Sequence, residues 1–167
     1  MERDPGRVSP LAVVIADTHI PRRARALPGG LLSHLGCVDL VLHAGDLMDP
    51  ALLDELAAYA PVRGVRGNLD PPDLDLPKCL EFEFGGIRMA MIHDSGRKQG
   101  RRRRLRRRFP DARVVVFGHS HIPFVEDEDG LLLLNPGSPT DKRWQPRHTF
   151  ALLCAEEGRV RVDISAL

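Results

Sequence analysis

Leu11-Ala12-Val13-Val14-Ile15-Ala16-Asp17-Thr18-His19 is the stretch on which the reading of this chain turns. Six apolar residues run without a break into two side chains that can bind a metal. A short, uninterrupted apolar run of this kind reads as a strand buried on both faces, as in a sheet covered by helices. The arrangement recurs three times. Val38-Asp39-Leu40-Val41-Leu42 precedes Gly45-Asp46, Val62-Arg63-Gly64-Val65 precedes Gly67-Asn68, and Val114-Val115-Val116-Phe117 precedes Gly118-His119-Ser120-His121. Polar residues at the carboxyl ends of neighbouring strands converge in the crevice where open α/β sheets bind ligands. Together these ends supply enough Asp, Asn and His donors for two metal ions.

The segments between them fix the rest of the order. A short helix is expected from about Gly30 to Leu35, and a strand from Asp39 to His43. Asp49-Pro50 opens the next helix, with a capping carboxylate and a proline in its first turn, carried by Leu52, Leu53, Leu56 and Ala57 at helical spacing. Val62 to Arg66 returns to the sheet, and strands alternating with helices imply parallel, right-handed crossovers. Leu80 to Phe84 and Ile87 to Ile92 form a hairpin around Gly85-Gly86. Gln99 to Phe109 is expected to be helical, ended by Pro110. From Ile122 onward, Asp129-Gly130 and Glu157-Gly158 mark turns of antiparallel meanders. Mixed sheets covered by helices are the expected α/β architecture.

At 167 residues the chain suits one domain spanning residues 1–167, with residues 1–10 as a loose tail. Hydrophobic residues at 43% and charged residues at 28% exclude the compositions of disordered and membrane-embedded chains. No apolar run nears the ~20 residues of a membrane helix, and Leu11 to Ala16 is too short for a signal peptide, so a cytoplasmic location is expected. Cys37, Cys79 and Cys154 lack the spacing of a disulfide framework or a thiolate metal site. The net charge of +1 conceals an asymmetry. Nine of the twelve residues from Arg97 to Arg108 are basic and none is acidic, leaving 15 basic and 23 acidic residues elsewhere. Leu105 and Phe109, four apart, would anchor such a helix and leave arginines over most of its circumference. Its partner is expected to be anionic: a phosphate-rich substrate, a nucleic acid, or an acidic patch, including one on a second copy of the chain.

Donor chemistry narrows the metal. Imidazole and carboxylate suit Mn, Fe, Ni or Zn, and the lack of thiolates argues against a structural zinc. Asp-x-His and His-x-His on extended backbone would turn both side chains to one face. The Asp46 carboxylate could bridge two cations with its two oxygens.

These motifs, with His93 after a strand and Asn135-Pro136-Gly137-Ser138, resemble those of the calcineurin-like metallophosphoesterase superfamily. More narrowly they are similar to its compact bacterial and archaeal phosphodiesterases, the YfcE type, from about Leu11 to about Phe150. The resemblance implies a four-layer α/β/β/α sandwich with two mixed β-sheets. It implies a first metal held by Asp17, His19 and His121, a second held by Asn68, His93 and His119, and Asp46 bridging both. Manganese is the metal expected first. The implied catalytic set is Asp46, Asn68 and His93, positioning phosphate for a hydroxide held between cations roughly 3.5–4 Å apart. Phosphate esters, including nucleotides, are the implied substrates.

The chain departs from the superfamily at Leu69, where many phosphatases carry a general-acid histidine. Without that acid, diesters with good leaving groups are favoured over monoesters. A nucleotide or phosphoprotein phosphatase and a non-catalytic scaffold on the same fold are the alternatives, and the complete set of seven donors favours the enzyme. His43 reads as a structural hydrogen-bonding group, Asp70 as an orienting or capping residue, and His34 and His148 as polar residues outside the site.

Overall fold

The structure, a computed structural model, describes residues 9–156 and 158–167. In chain order the elements are β1 (Leu11–Ile15), α1 (Gly29–Leu35), β2 (Leu40–His43), α2 (Ala51–Ala57), β3 (Val62–Gly64), β4 (Cys79–Phe84), β5 (Ile87–Ile92), α3 (Arg101–Arg108), β6 (Val114–Val116), β7 (Phe124–Glu128), β8 (Leu131–Asn135), β9 (Thr149–Glu156) and β10 (Arg159–Ala166). They form two five-stranded mixed sheets, ordered β10-β9-β1-β2-β3 and β4-β5-β6-β8-β7. In the first sheet β1, β2 and β3 are parallel while β9 runs antiparallel to β1.

Three apolar layers account for the stacking. Alternate residues of β1 divide between two of them: Ala12 and Val14 face β5, β6 and β8 across the gap between the sheets, with Met89, Val116 and Leu134. Val13 and Ile15 face the other way, onto Leu31 and Leu35 of α1 and Leu52 and Leu56 of α2. On the far side of the second sheet, Val115 and Leu133 pack on Leu105 and Phe109. The layers therefore run helix, sheet, sheet, helix, and the unbroken apolar sequence of β1 follows from its burial on both faces.

Local signals act as their chemistry requires. Asp49 accepts the Ala51 N–H at 2.9 Å, and Pro50 already has helical dihedrals, so the aspartate caps α2 with the proline in its first turn. Gly85 and Gly86 both have positive φ, which closes the β4–β5 hairpin. Helix α3 begins at Arg101 rather than Gln99, because Gly100 has left-handed dihedrals.

The C-terminal region is not one meander. β7 and β8 form a hairpin, but β8 also joins β6 in parallel, whereas β9 and β10 form a second hairpin attached to β1 in the other sheet. All five residues of β8 are buried, which suits an interior strand rather than a half-exposed meander arm. Residues 136–148 cross from one sheet to the other. The expected tail falls mostly on residues 1–8, outside the described residues, but the Pro10 carbonyl is tied down by the Ala155 N–H at 3.0 Å. Glu157 of the last turn also lies outside them, while Gly158 has the positive φ that a turn requires. Cys37, Cys79 and Cys154 form no disulfide. Among the described residues, no helix is long and apolar enough to cross a membrane.

Candidate metal centre

The loops after β1, β2 and β3 bring Asp17, His19, Asp46 and Asn68 to one rim of the first sheet. Those after β5 and β6 bring His93, His119 and His121 to the facing rim of the second. Asp17, Asp46, His93 and His121 are each at most 3% exposed, and His19 is 4% exposed. The donors fall into two adjoining groups. In the first, His121 Nε2 lies 3.5 Å and His19 Nε2 3.8 Å from Asp17 Oδ1. In the second, Asn68 Oδ1 lies 3.1 Å from His93 Nε2 and 3.0 Å from His119 Nδ1. Asp46 Oδ2 stands between them, 3.6 Å from His19 Nε2 and 3.4 Å from His93 Nε2. All seven residues singled out from the sequence converge, although Asn68 and His119 are exposed at the mouth.

Backbone geometry at these positions differs from the extended chain expected. Asp17, His19, Asp46, His119 and His121 all have positive φ, between 48° and 68°. For residues with a Cβ this left-handed region is costly, and it persists where the surroundings impose it. The side chains are therefore aimed by tight turns, not by alternation along a strand. Adjacent glycines let those turns close. A Cβ at Gly67 would sit 2.0 Å from Asp46 Oδ1, and one at Gly45, itself at φ 93°, would sit 2.6 Å from His93 Nδ1.

Each donor is held from behind. His93 Nδ1 donates to the Ala44 carbonyl at 2.7 Å and His121 Nδ1 to the Asp141 carbonyl at 2.5 Å, which leaves both Nε2 lone pairs facing the carboxylates. Asp46 Oδ1 accepts the Leu69 N–H at 2.8 Å, while Oδ2 faces both groups. Asp70 accepts three backbone N–H groups, from Asp46 at 2.9 Å and from Met48 and Gly67 at 2.7 Å, binding the β2 loop to the β3 loop. His43 is fully buried; it accepts the Gly45 N–H at Nδ1 and donates from Nε2 to Thr18 Oγ1 at 3.0 Å. It is a structural group, as expected.

Five buried side-chain atoms have no hydrogen-bond partner among the described residues, and three of them belong to the donor cluster: Asp17 Oδ2, His19 Nε2 and His121 Nε2. Buried polar atoms are seldom left so, and the two imidazole nitrogens, which face Asp17 Oδ1 at 3.8 and 3.5 Å, are what a cation would satisfy. Asp17, His19 and His121 present donors within 4.8 Å of one another, as do Asp17, Asp46 and His93. Their nitrogen and oxygen chemistry fits a divalent transition metal. Electrostatics agree. Burial works against the Asp46 carboxylate, yet the hydrogen bond and charge of His93 hold it below the ordinary carboxylate value. Burial likewise opposes charging His93, yet its bond to Asp46 and the charge of Asp17 carry it above the ordinary imidazole value. A proton on His93 thus does what a cation would do better.

The Asn135-to-Ser138 motif singled out from the sequence supports the donor loops, together with Thr140, which the sequence did not mark. Ser138 Oγ donates to the Asp17 carbonyl at 2.7 Å, Thr140 Oγ1 to the Thr18 carbonyl at 2.5 Å, and Asn135 Nδ2 to the Gly118 carbonyl at 2.9 Å. The Asn135-to-Ser138 stretch therefore acts through its side chains on the donor loops. Asp141, unmarked in the sequence, places its carboxylate 3.9 Å from His19 Nδ1 and 3.5 Å from Arg23 Nε. His34 hydrogen-bonds the Gly30 carbonyl on α1, away from the donors.

Residues 11–158 match the calcineurin-like phosphoesterase superfamily domain. The chain belongs to that family. It is similar to a probable metallophosphoesterase of Methanothermobacter thermautotrophicus, 41% identical over 133 residues covering 78% of this chain and 77% of the relative. A Thermotoga maritima protein solved by NMR superposes with a TM-score of 0.75 at 30% identity, over 95% of this chain and 99% of that one. Vps29 of Chaetomium thermophilum shares the fold, with a TM-score of 0.79 at 22% identity over 96% and 97% of the two chains. Within this phosphoesterase fold, Leu69 is 45% exposed and offers its N–H to Asp46 but no side-chain proton to a substrate.

Proposed function

We propose that this chain is a phosphodiesterase working with two divalent cations. The observation that carries the metal reading is the set of orphaned donor atoms on Asp17, His19 and His121 beside the Asp46–His93 pair. Asp17, His19 and His121 would hold one ion, Asn68, His93 and His119 the other, and Asp46 both. Bound there, the cations would supply Lewis acidity to phosphoryl oxygens and lower the pKa of water. Manganese suits this mixture of imidazole, amide and carboxylate, with Fe, Ni and Zn as competitors.

The protein's own share is positioning. Ala44 and Asp141 fix the orientation of His93 and His121, Leu69 N–H fixes Asp46, and Asp70 holds two donor loops at a set separation. Donors held this way need little rearrangement during reaction. Leu69 supports the diester preference, because a leaving group there receives no proton from the side chain and must depart readily by itself.

The test is hydrolysis of a bis-aryl against a mono-aryl phosphate by metal-stripped protein, with Mn, Ni, Zn and Mg restored in turn. Preference for the diester is expected, with Mn most effective. Activity on neither ester would sink the hydrolase reading, and monoester preference would overturn the diester choice.

A further inference from the structure

Apart from Arg108, which lies over the Phe109 ring at 5.5 Å, the arginines of α3 and of the loop before it fall into two unlike sets. Arg102 donates to the Glu126 carboxylate at 2.5 Å and to the Glu128 and Leu131 carbonyls at 2.6 Å, while Arg106 reaches the Asp129 carbonyl at 2.9 Å. Arg101 lies over the Phe117 ring at 4.8 Å, and Arg104 turns back to hold the Ser95 and Arg97 carbonyls at 2.7 Å. These four are structural, so only part of the arginine-covered circumference is left for an anionic partner. Arg97, Arg103 and Arg107 are different. They are exposed, and no carboxylate among the described residues pairs with them.

Those three line a cavity of about 890 Å³ between the loop after β5 and α3, together with Arg104, Gln99 and two glycines. No acidic and no apolar side chain lines it. Arg103 and Arg107 are one helical turn apart, so their heads share a face. Cations gathered in a concavity without counter-charge raise the local concentration of anions. The planar guanidinium fork matches phosphate oxygens in particular. The cavity starts at Gly96, three residues beyond His93 in the chain.

We propose that this groove holds the phosphate backbone of a single-stranded nucleic acid. The binding stands on the groove alone and does not depend on the phosphodiesterase reading. The volume lies within the range of ligand pockets, about 300–1,000 Å³, and a flexible strand can bend into such a concavity where a stiff duplex cannot. With no ring in the lining, bases are not stacked there, so the grip is on phosphates and independent of sequence. An acidic protein partner would call for apolar contact inside the polar rim, and the lining has none.

Fluorescence anisotropy of labelled oligothymidylate, titrated with the full-length chain in EDTA over a series of KCl concentrations, tests the groove. Affinity is expected to fall with salt by about 0.7 in log–log slope for each phosphate neutralised. Arg97→Gln, Arg103→Gln and Arg107→Gln together should weaken binding at least tenfold and lower the slope by about 2. An unchanged slope and affinity in the folded triple variant, checked by circular dichroism, overturns the proposal. So does equal competition by tripolyphosphate or polyglutamate at matched charge, which would assign the groove to a small anion or an acidic protein. Binding without hydrolysis of either aryl phosphate would keep the groove and remove the phosphodiesterase.

Discussion

The Asp46 N–H donates to the Asp70 carboxylate at 2.9 Å, and the same carboxylate takes the N–H groups of Met48 and Gly67. Asp70 is 8% exposed, so this is a sheltered anchor between the loops that carry Asp46 and Asn68. Asp70→Ala should cost roughly 3 kcal/mol or more, since charge-assisted bonds are lost and their donors are left unmatched. Asp70→Asn keeps an acceptor oxygen and should lose less. Urea unfolding of both variants, at unchanged m-value, checks the order.

Asp46→Asn should abolish hydrolysis and weaken binding of both cations, because Oδ2 is the oxygen nearest both His19 and His93. His43→Ala touches no donor side chain directly. Its effect, passed through Thr18 and Gly45, should be about 10–100-fold on metal affinity. Calorimetric titration of Mn into each stripped protein separates the two.

His43 makes stability depend on pH. Burial lowers its pKa from 6.5 to about 4. Between those values the unfolded chain binds a proton that the folded chain refuses, so stability falls as pH drops from 6.5 towards 4 and levels off below. The span amounts to roughly 3 kcal/mol. Thermal melts of the stripped protein across this window should slope more steeply for the native chain than for His43→Gln; parallel curves would contradict the assignment.

Arg102 and Arg103 are adjacent and should behave oppositely. Arg102→Ala removes the bond to Glu126 and those to two carbonyls, and should cost about 2 kcal/mol. Arg103→Ala, exposed and unpaired, should stay within about 0.5 kcal/mol. Denaturant midpoints of the single variants decide it.

Much of this was legible because burial on both faces leaves a mark in the chain. The apolar run of β1 and the alternation of β4 each have one structural meaning, and the glycine pair between β4 and β5 permits one turn. β8 is less telling: Leu131 to Leu134 would read the same beside β6 as in a meander, and only the packing of the whole sheet decides. The seven donors could be listed from residue type, yet their aim could not. Asp17 at φ 54° and His19 at φ 48° stand on a loop whose Asp17 and Thr18 carbonyls are held by Ser138 and Thr140, more than a hundred residues away in sequence. Asp141 escaped notice because it serves His121 with a main-chain carbonyl, which any residue has. Arginine charge misled for a related reason. A guanidinium fork seeks carbonyl oxygens as readily as carboxylates, and those of Glu128 and Leu131 come within reach of Arg102 only once the β7–β8 hairpin folds over α3.

Donors on the two facing rims also have a mechanical meaning. Apolar layers between sheets resist separation but offer little against sliding. An ion gripped by Asp17 and His19 from one side and His121 from the other would rivet the sandwich at that end and leave the opposite end free to slip. Loading the centre should therefore slow amide exchange in a gradient, steepest at Ile15, His43 and Val116 and fading towards the far ends of the same strands.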